Sequence, residues 1–170
     1  LEAVREVATT FTGVAHRLEL VQELNGVRWY DDSIATAPER TLAAVHAFEE
    51  PIVLLAGGRD KDLPWDEFAE ETVRRVRQLI TFGEAGPMIA RIVNERWRDA
   101  KAAERNGGAT PGPTRPPSLS GITRVDTLGE AVATAARLAD PGDVVLFSPG
   151  GASSDAFKDF AELGDRFKEF

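Results

Sequence analysis

A chain of 170 residues with 42% hydrophobic and 28% charged side chains has the size and balance of one globular domain, long enough to bury roughly 70% of its unfolded surface. Its 20 Lys and Arg against 28 Asp and Glu leave a formal charge of -8, which excludes the broad basic field of a nucleic-acid footprint, and no apolar run is long enough to span a membrane. With no Cys and only two His, disulfides, thiolate chemistry, zinc–thiolate centres and all-histidine metal sites are excluded too.

The opening LEAVREVATT mixes charges into a short helical pattern and lacks the apolar centre of a signal peptide. Its start at Leu1 rather than Met is expected to mark a piece of a longer protein. His16 and Arg17 precede RLELVQELNGVRWYDDS, which reads as two short strands turned at Asn25-Gly26, a pair that readily adopts the positive φ a hairpin needs. In DDSIATAPER, Thr36 is placed to cap a helix, with Glu39 reaching back and Pro38 in the first turn. Leu42, Val45 and Phe48 extend that helix over 38–48, with His46 on its solvated side. PIVLLAGG is an unbroken apolar run ending in glycines, the pattern of a strand buried on both faces.

Phe68, Thr72 and Val76 then mark a helix, QLITFG a strand, and Ile89, Ile92, Val93 and Trp97 the apolar face of another helix. Trp97 is assigned to core or rim packing. NGGATPGPTRPPSLS, residues 106–120, carries four prolines and three glycines and reads as a loop. After the strand GITRVD, Thr127 and Glu130 form a capping box for a helix lined by Leu128, Ala131, Val132, Ala135 and Leu138. DVVLFSPGG repeats the pattern of apolar strand followed by glycines, and Phe157, Phe160, Ala161 and Phe167 stripe the last helix.

Alternating helices and apolar strands predict an α/β fold over residues 1–170: a single domain with an open, mostly parallel sheet in a Rossmann-like three-layer αβα arrangement. Ligands bind such sheets outside the carboxyl ends of the strands. Three turns fall there: DDSIAT, GGRDK and SPGGASSD. In the second, glycines permit close backbone approach and Lys61 supplies a mobile positive charge, while Arg59 is assigned to solvent. In the third, Ser153 or Ser154 is placed to cap the last helix, whose start suits a carboxylate or phosphate. No GxSxG elbow makes Ser153 a nucleophile. Arg17 offers a planar fork for an anion. Asp31 and Asp32 are candidates for Mg²⁺ or hydroxyl groups, but neighbours in an extended segment point opposite ways, and Asp32 adjoins the turn.

Taken together, the ordered motifs HR, DDSIAT, GGRDK and SPGGASSDAFKDF resemble the carboxy-terminal domain of the Mur ligases, most closely their D-glutamate-adding branch. The resemblance implies a cytoplasmic, ATP-dependent, Mg²⁺-requiring amide-bond ligase of peptidoglycan synthesis. Its amino-terminal and central domains, with the phosphate loop and the main metal ligands, would lie outside this chain, and the domain alone would be inactive. In that scheme the carboxylate of UDP-N-acetylmuramoyl-L-alanine is phosphorylated and the amine of D-glutamate attacks the acyl phosphate. Residue by residue, His16 would lie near the reacting phosphate, Arg17 and Asp32 would contact the nucleotide, and Thr36 would help seat D-glutamate. Lys61 would grip a D-glutamate carboxylate, Ser153 would bind a carboxylate at the helix start, and the Phe160 ring would pack against the amino acid. No metal ligand is assigned within these residues. Some members carry a lysine where this chain has Ile34, which shifts the positive charge onto Arg59 or Lys61.

Overall fold

The sheet is built from runs that have no solvated face. A computed structural model describes residues 13–105, 118–153 and 157–170. Six strands, β1 (Glu19–Leu24), β2 (Val27–Asp31), β3 (Ile52–Gly57), β4 (Val76–Phe82), β5 (Gly121–Arg124) and β6 (Val144–Gly150), form one sheet in the order β1-β2-β6-β3-β4-β5. Only β1 runs antiparallel; β2, β6, β3, β4 and β5 are parallel neighbours. Every residue of β3 and β6 is buried, because helices cover both faces.

The helices are α1 (Pro38–Val45), α2 (Asp66–Arg75), α3 (Gly86–Arg105), α4 (Leu128–Leu138) and α5 (Phe160–Glu169). Ile52, Leu54 and Ala56 of β3 face α1, α2 and α3 through Leu42, Val45, Phe68, Val73, Ile89 and Val93. Val53 and Leu55, one residue out of phase, face α4 and α5 through Leu128, Ala131, Leu163 and Phe167. Period-two alternation thus splits one strand between two cores. The expected three-layer αβα arrangement is what the chain adopts.

Local signals account for much of this. Asn25 and Gly26 turn the β1–β2 hairpin with φ of 53° and 78°, the doubly left-handed turn whose twist matches the strands. Thr127 and Glu130 make the expected capping box at α4.

Four expectations are corrected. The residue capping α1 is Ala37, extended and with no side-chain cap, so Thr36 lies outside the helix; Pro38, lacking an N–H, occupies the first helical position instead. Helix α1 ends at Val45, short of Phe48, whose ring packs against Tyr30 with centroids 4.8 Å apart. Val76 belongs to β4 rather than α2, since the shared apolar residue at a helix–strand joint satisfies either period. Asp159 caps α5 by accepting from Glu162 N–H, which leaves Phe157 and Ser153 before the helix. The 106–117 part of the predicted loop lies outside the described residues, as does the amino-terminal helical pattern. The end of that loop is anchored, with buried Leu119 donating to Val73 O at 3.2 Å.

Gly57 ends β3 where it presses on β4: a Cβ there would collide with the Phe82 carbonyl and ring. The substitution Gly57→Ala should lower stability by about 3 kcal/mol through overpacking, read as a lower urea midpoint at unchanged m-value. An unchanged midpoint would show that β3 and β4 can part without cost.

Candidate functional site

The carboxyl ends of β2, β3 and β6 are adjacent because β6 lies between the other two. The three turns that follow are joined by backbone. Gly150 N–H donates to Ala35 O at 2.8 Å, and Arg59 and Ala152 exchange two hydrogen bonds of 2.9 Å. Lys61 Nζ donates to Thr36 O at 3.3 Å while remaining exposed. The convergence expected from DDSIAT, GGRDK and SPGGASSD is therefore present: Lys61 and Thr36 meet, and Ser153 follows the residue that pairs with Arg59. Ser153 does not cap α5, which begins at Phe160 behind Asp159. Arg59, assigned to solvent, lies 3.3 Å from Glu84 Oε2.

His16 and Leu18 both have positive φ, 63° and 42°, uncommon for residues with a side chain and costly by about 1–3 kcal/mol each. Carboxylates hold this turn. Glu19 Oε2 accepts from His16 N–H at 2.8 Å and Asp32 Oδ1 from Leu18 N–H at 3.2 Å. Between them Arg17 stays exposed.

Asp31 and Asp32 are 0% and 4% exposed and point apart, as neighbours on an extended segment must. Asp32 Oδ2 accepts from the Ser148 hydroxyl at 2.8 Å, and that hydroxyl lies 3.1 Å from Thr41 Oγ1. Burial pushes the Asp32 carboxyl up to about 6, against the opposing hydrogen bonds of Ser148 and Leu18 and with the help of the nearby Asp31 charge. Both Asp32 oxygens are thus engaged with the protein, and the group sits under the His16-Arg17 turn rather than facing outward.

Asp31 forms a second cluster that sequence reasoning passed over in favour of Asp32. Its Oδ2 lies 2.8 Å from His16 Nδ1, and its Oδ1 accepts from Ser33 N–H at 2.9 Å. Lys168 Nζ of α5 stands 2.7 Å from Glu19 Oε2 and 3.5 Å from Asp31 Oδ2. The Lys168 hydrogen bond, with the His16 N–H, holds the Glu19 carboxyl below its usual range. Burial works against the Lys168 charge, but Glu19 and Asp31 raise its pKa overall. Phe160 is half-buried, its ring edge-on to His16 at 6.1 Å between centroids.

His16, Glu19 and Asp31 place their ligand atoms within 4.8 Å of one another. The set does not fit Mg²⁺, which demands near-octahedral oxygen ligation: one of three donors is an imidazole, and the Lys168 ammonium already supplies the positive charge.

The chain matches the family model "Mur ligase, glutamate ligase domain" over residues 16–151. It is 42% identical, over 99% of its length, to the UDP-N-acetylmuramoylalanine–D-glutamate ligase of Acetivibrio thermocellus, and 44% identical to that of Symbiobacterium thermophilum. It spans 33% and 32% of their lengths, about a third of these curated relatives. Among solved structures it is similar in fold to the MurF ligase of Thermotoga maritima in complex with ADP, with TM-score 0.55 and 18% identity, covering 99% of this chain and 36% of that one. The folylpolyglutamate synthase of the same organism gives TM-score 0.58 and 14% identity, covering 99% and 33%. Among the described residues no helix is long and apolar enough to cross a membrane.

The raised Asp32 carboxyl has a signed consequence. A carboxyl that titrates near 6 when folded and near 3.8 when unfolded binds its proton more tightly in the native state. Its contribution is fully present below pH 4 and lost as pH rises through 6, about 3 kcal/mol in all. In Asp32→Asn the amide replaces the acid; it can donate to Ser148 Oγ, whose hydroxyl then turns to Thr41. Urea unfolding from pH 4 to 7 should show the wild type losing about 3 kcal/mol relative to Asp32→Asn, and parallel curves would refute the assignment.

Proposed function

The chain belongs to the Mur ligase glutamate ligase domain family, and from that membership we propose that residues 1–170 form the closing domain of an ATP-dependent, D-glutamate-adding amide-bond ligase of peptidoglycan synthesis. What carries this reading is the bond between Lys61 and the Thr36 carbonyl, which fixes a positive charge where the three turns meet. An amino-acid carboxylate set there would be held by the Lys61 ammonium, with Thr36 and Ser153 on the turns to either side. The Phe160 ring and His16 would bound it from α5 and the first turn.

ATP with Mg²⁺ would supply the phosphoryl group that activates the carboxylate of UDP-N-acetylmuramoyl-L-alanine, and the metal's ligands are assigned to the central domain outside this chain. Arg17 would meet the nucleotide from the rim. Asp32, for which the resemblance implies a nucleotide contact, would act by holding Leu18 and hence the turn that carries Arg17. The amine of D-glutamate would then displace phosphate from the acyl phosphate. A cytoplasmic location accompanies this reading, and the domain alone would be inactive, because activation needs the rest of the enzyme.

The fold likeness to MurF and to a folylpolyglutamate synthase favours a second reading, a related ligase adding a different amino acid. Phosphate release by the full-length protein, measured with D-glutamate, L-glutamate, L-lysine and meso-diaminopimelate in turn, separates the two; preference for any but the first rejects the leading one. In the full-length enzyme Lys61→Ala should raise the KM for D-glutamate by at least about 10-fold, the loss expected for one charged hydrogen bond, with an unchanged melting temperature because the side chain is exposed. Unaltered steady-state constants would remove Lys61 from the site.

A further inference from the structure

One face of α5 is built around a single imidazole. Phe160, Gly164 and Lys168 recur every four residues, with Asp165 beside Gly164, and so share a side of the helix. Each meets His16 or its partner. The Phe160 ring stands edge-on to the imidazole. Lys168 Nζ approaches Asp31 Oδ2 at 3.5 Å, and Asp165 Oδ1 lies 3.8 Å from His16 Nε2. A Cβ at Gly164 would collide with His16 Nδ1, Asp31 Oδ2 and Ser33 Oγ together, so the helix backbone lies directly over the His16–Asp31 hydrogen bond.

Hydrophobic packing does not require this stripe. The apolar contact of α5 is made by Leu163 and Phe167, the latter stacked on Phe147 at 4.7 Å. The second face is spent on the dyad.

The chemistry of the dyad follows from its partners. An ionised carboxylate only accepts, so with Asp31 ionised the hydrogen between His16 Nδ1 and Asp31 Oδ2 would belong to the ring, and a neutral imidazole would keep its lone pair on Nε2. Asp31 Oδ1 also accepts from Ser33 N–H, and Lys168 Nζ stands 3.5 Å from Oδ2. The other charged groups facing the ring are Glu19, through the His16 N–H, and the largely exposed Asp165.

We propose that Asp31, covered by Gly164 and countered by Lys168, is a positioning residue that locks His16 as its Nδ1–H tautomer and presents Nε2 as the proton acceptor for the incoming amine. This rests on the ligase reading of the site. As the nitrogen bonds to the acyl carbon and the bond from that carbon to the phosphate oxygen breaks, phosphate leaves with the bonding electrons. The proton released from nitrogen passes to Nε2, and the imidazolium so formed faces the Asp31 carboxylate.

The tautomer is read by long-range ¹H–¹⁵N correlation on the ¹⁵N-labelled chain at neutral pH, with His46→Gln leaving His16 as the one imidazole. Protonated Nδ1 and bare Nε2 are expected; an Nε2–H ring overturns the proposal whatever the enzyme does. In the full-length protein Asp31→Ala should lower kcat at least about 10-fold, the lower range for a proton acceptor, with the KM values for amino acid and ATP within about 2-fold. Asp31→Asn, whose carbonyl can still accept from Nδ1–H and whose size preserves the fold, should recover part of that loss. A staple with no chemical role would lower the melting temperature and leave kcat alone, which would overturn the proposal. Should the full-length enzyme join a different amino acid while both Asp31 results hold, the D-glutamate reading falls and the role of Asp31 stands.

Discussion

Two adjacent carboxylates end strand β2 almost entirely out of water, and removing such groups from solvent costs several kcal/mol per ion unless each is met by donors. The surroundings of Asp31 and Asp32 are arranged to meet that demand. Asp32 is met by Ser148 at the end of β6 and by the Leu18 amide; Asp31 is met by His16, the Ser33 amide and Lys168. These donors come from the first turn, the neighbouring strand and the last helix. A single dipeptide therefore links the first turn to the neighbouring strand and the last helix, and the two left-handed residues of that turn are held by the carboxylates around it.

The strand order makes this possible. Since β6 is inserted between β2 and β3, Ser148 falls beside Asp32, and the glycines after β6 lie against those after β3. Gly58 and Gly151 have no room for a Cβ because the opposing backbones touch there, the close approach that paired glycine turns foreshadow. The three turns are thus held together at the carboxyl ends of the strands by main-chain hydrogen bonds. Side chains such as Lys61 need only reach outward from a rigid base.

Much of the fold was legible because its signals are local. The unbroken runs at 52–57 and 144–150, the Asn25-Gly26 turn and the Thr127–Glu130 box each declare themselves within a few residues. Element ends were less legible where two rules competed, as at Val76, which satisfies helix and strand spacing alike, and at Thr36, where Pro38 moved the helix start by one residue. The site was half legible. Its three turns followed from strand ends and glycines, but the Asp31 cluster did not, because His16 is 15 residues away and Lys168 lies on an element that only the fold brings near. Ser153 was placed at a helix start that Asp159 in fact caps, an error that follows from reading every small-residue turn as leading straight into its helix. Gly164 gave no signal at all: a glycine inside a helix reads as a weakness until the atoms facing it are known.

The same network resolves an electrostatic conflict in the sequence. If a chain of net charge -8 is to hold anionic ligands as proposed, it must keep its own carboxylates from repelling them at the carboxyl ends of the strands. Glu19 and Asp31 share the Lys168 ammonium, and the buried Asp32 carboxyl is met by the Ser148 hydroxyl and the Leu18 amide. Arg17 on the His16 turn and Lys61 on the GGRDK turn both stay exposed. Elsewhere carboxylates are matched on the helices, Glu71 by Arg74 and Arg75 and Asp66 by Arg96. A basic composition is unnecessary for an anion site when the edge is neutralised from within, and the residues that neutralise it are those that hold the His16 turn in place.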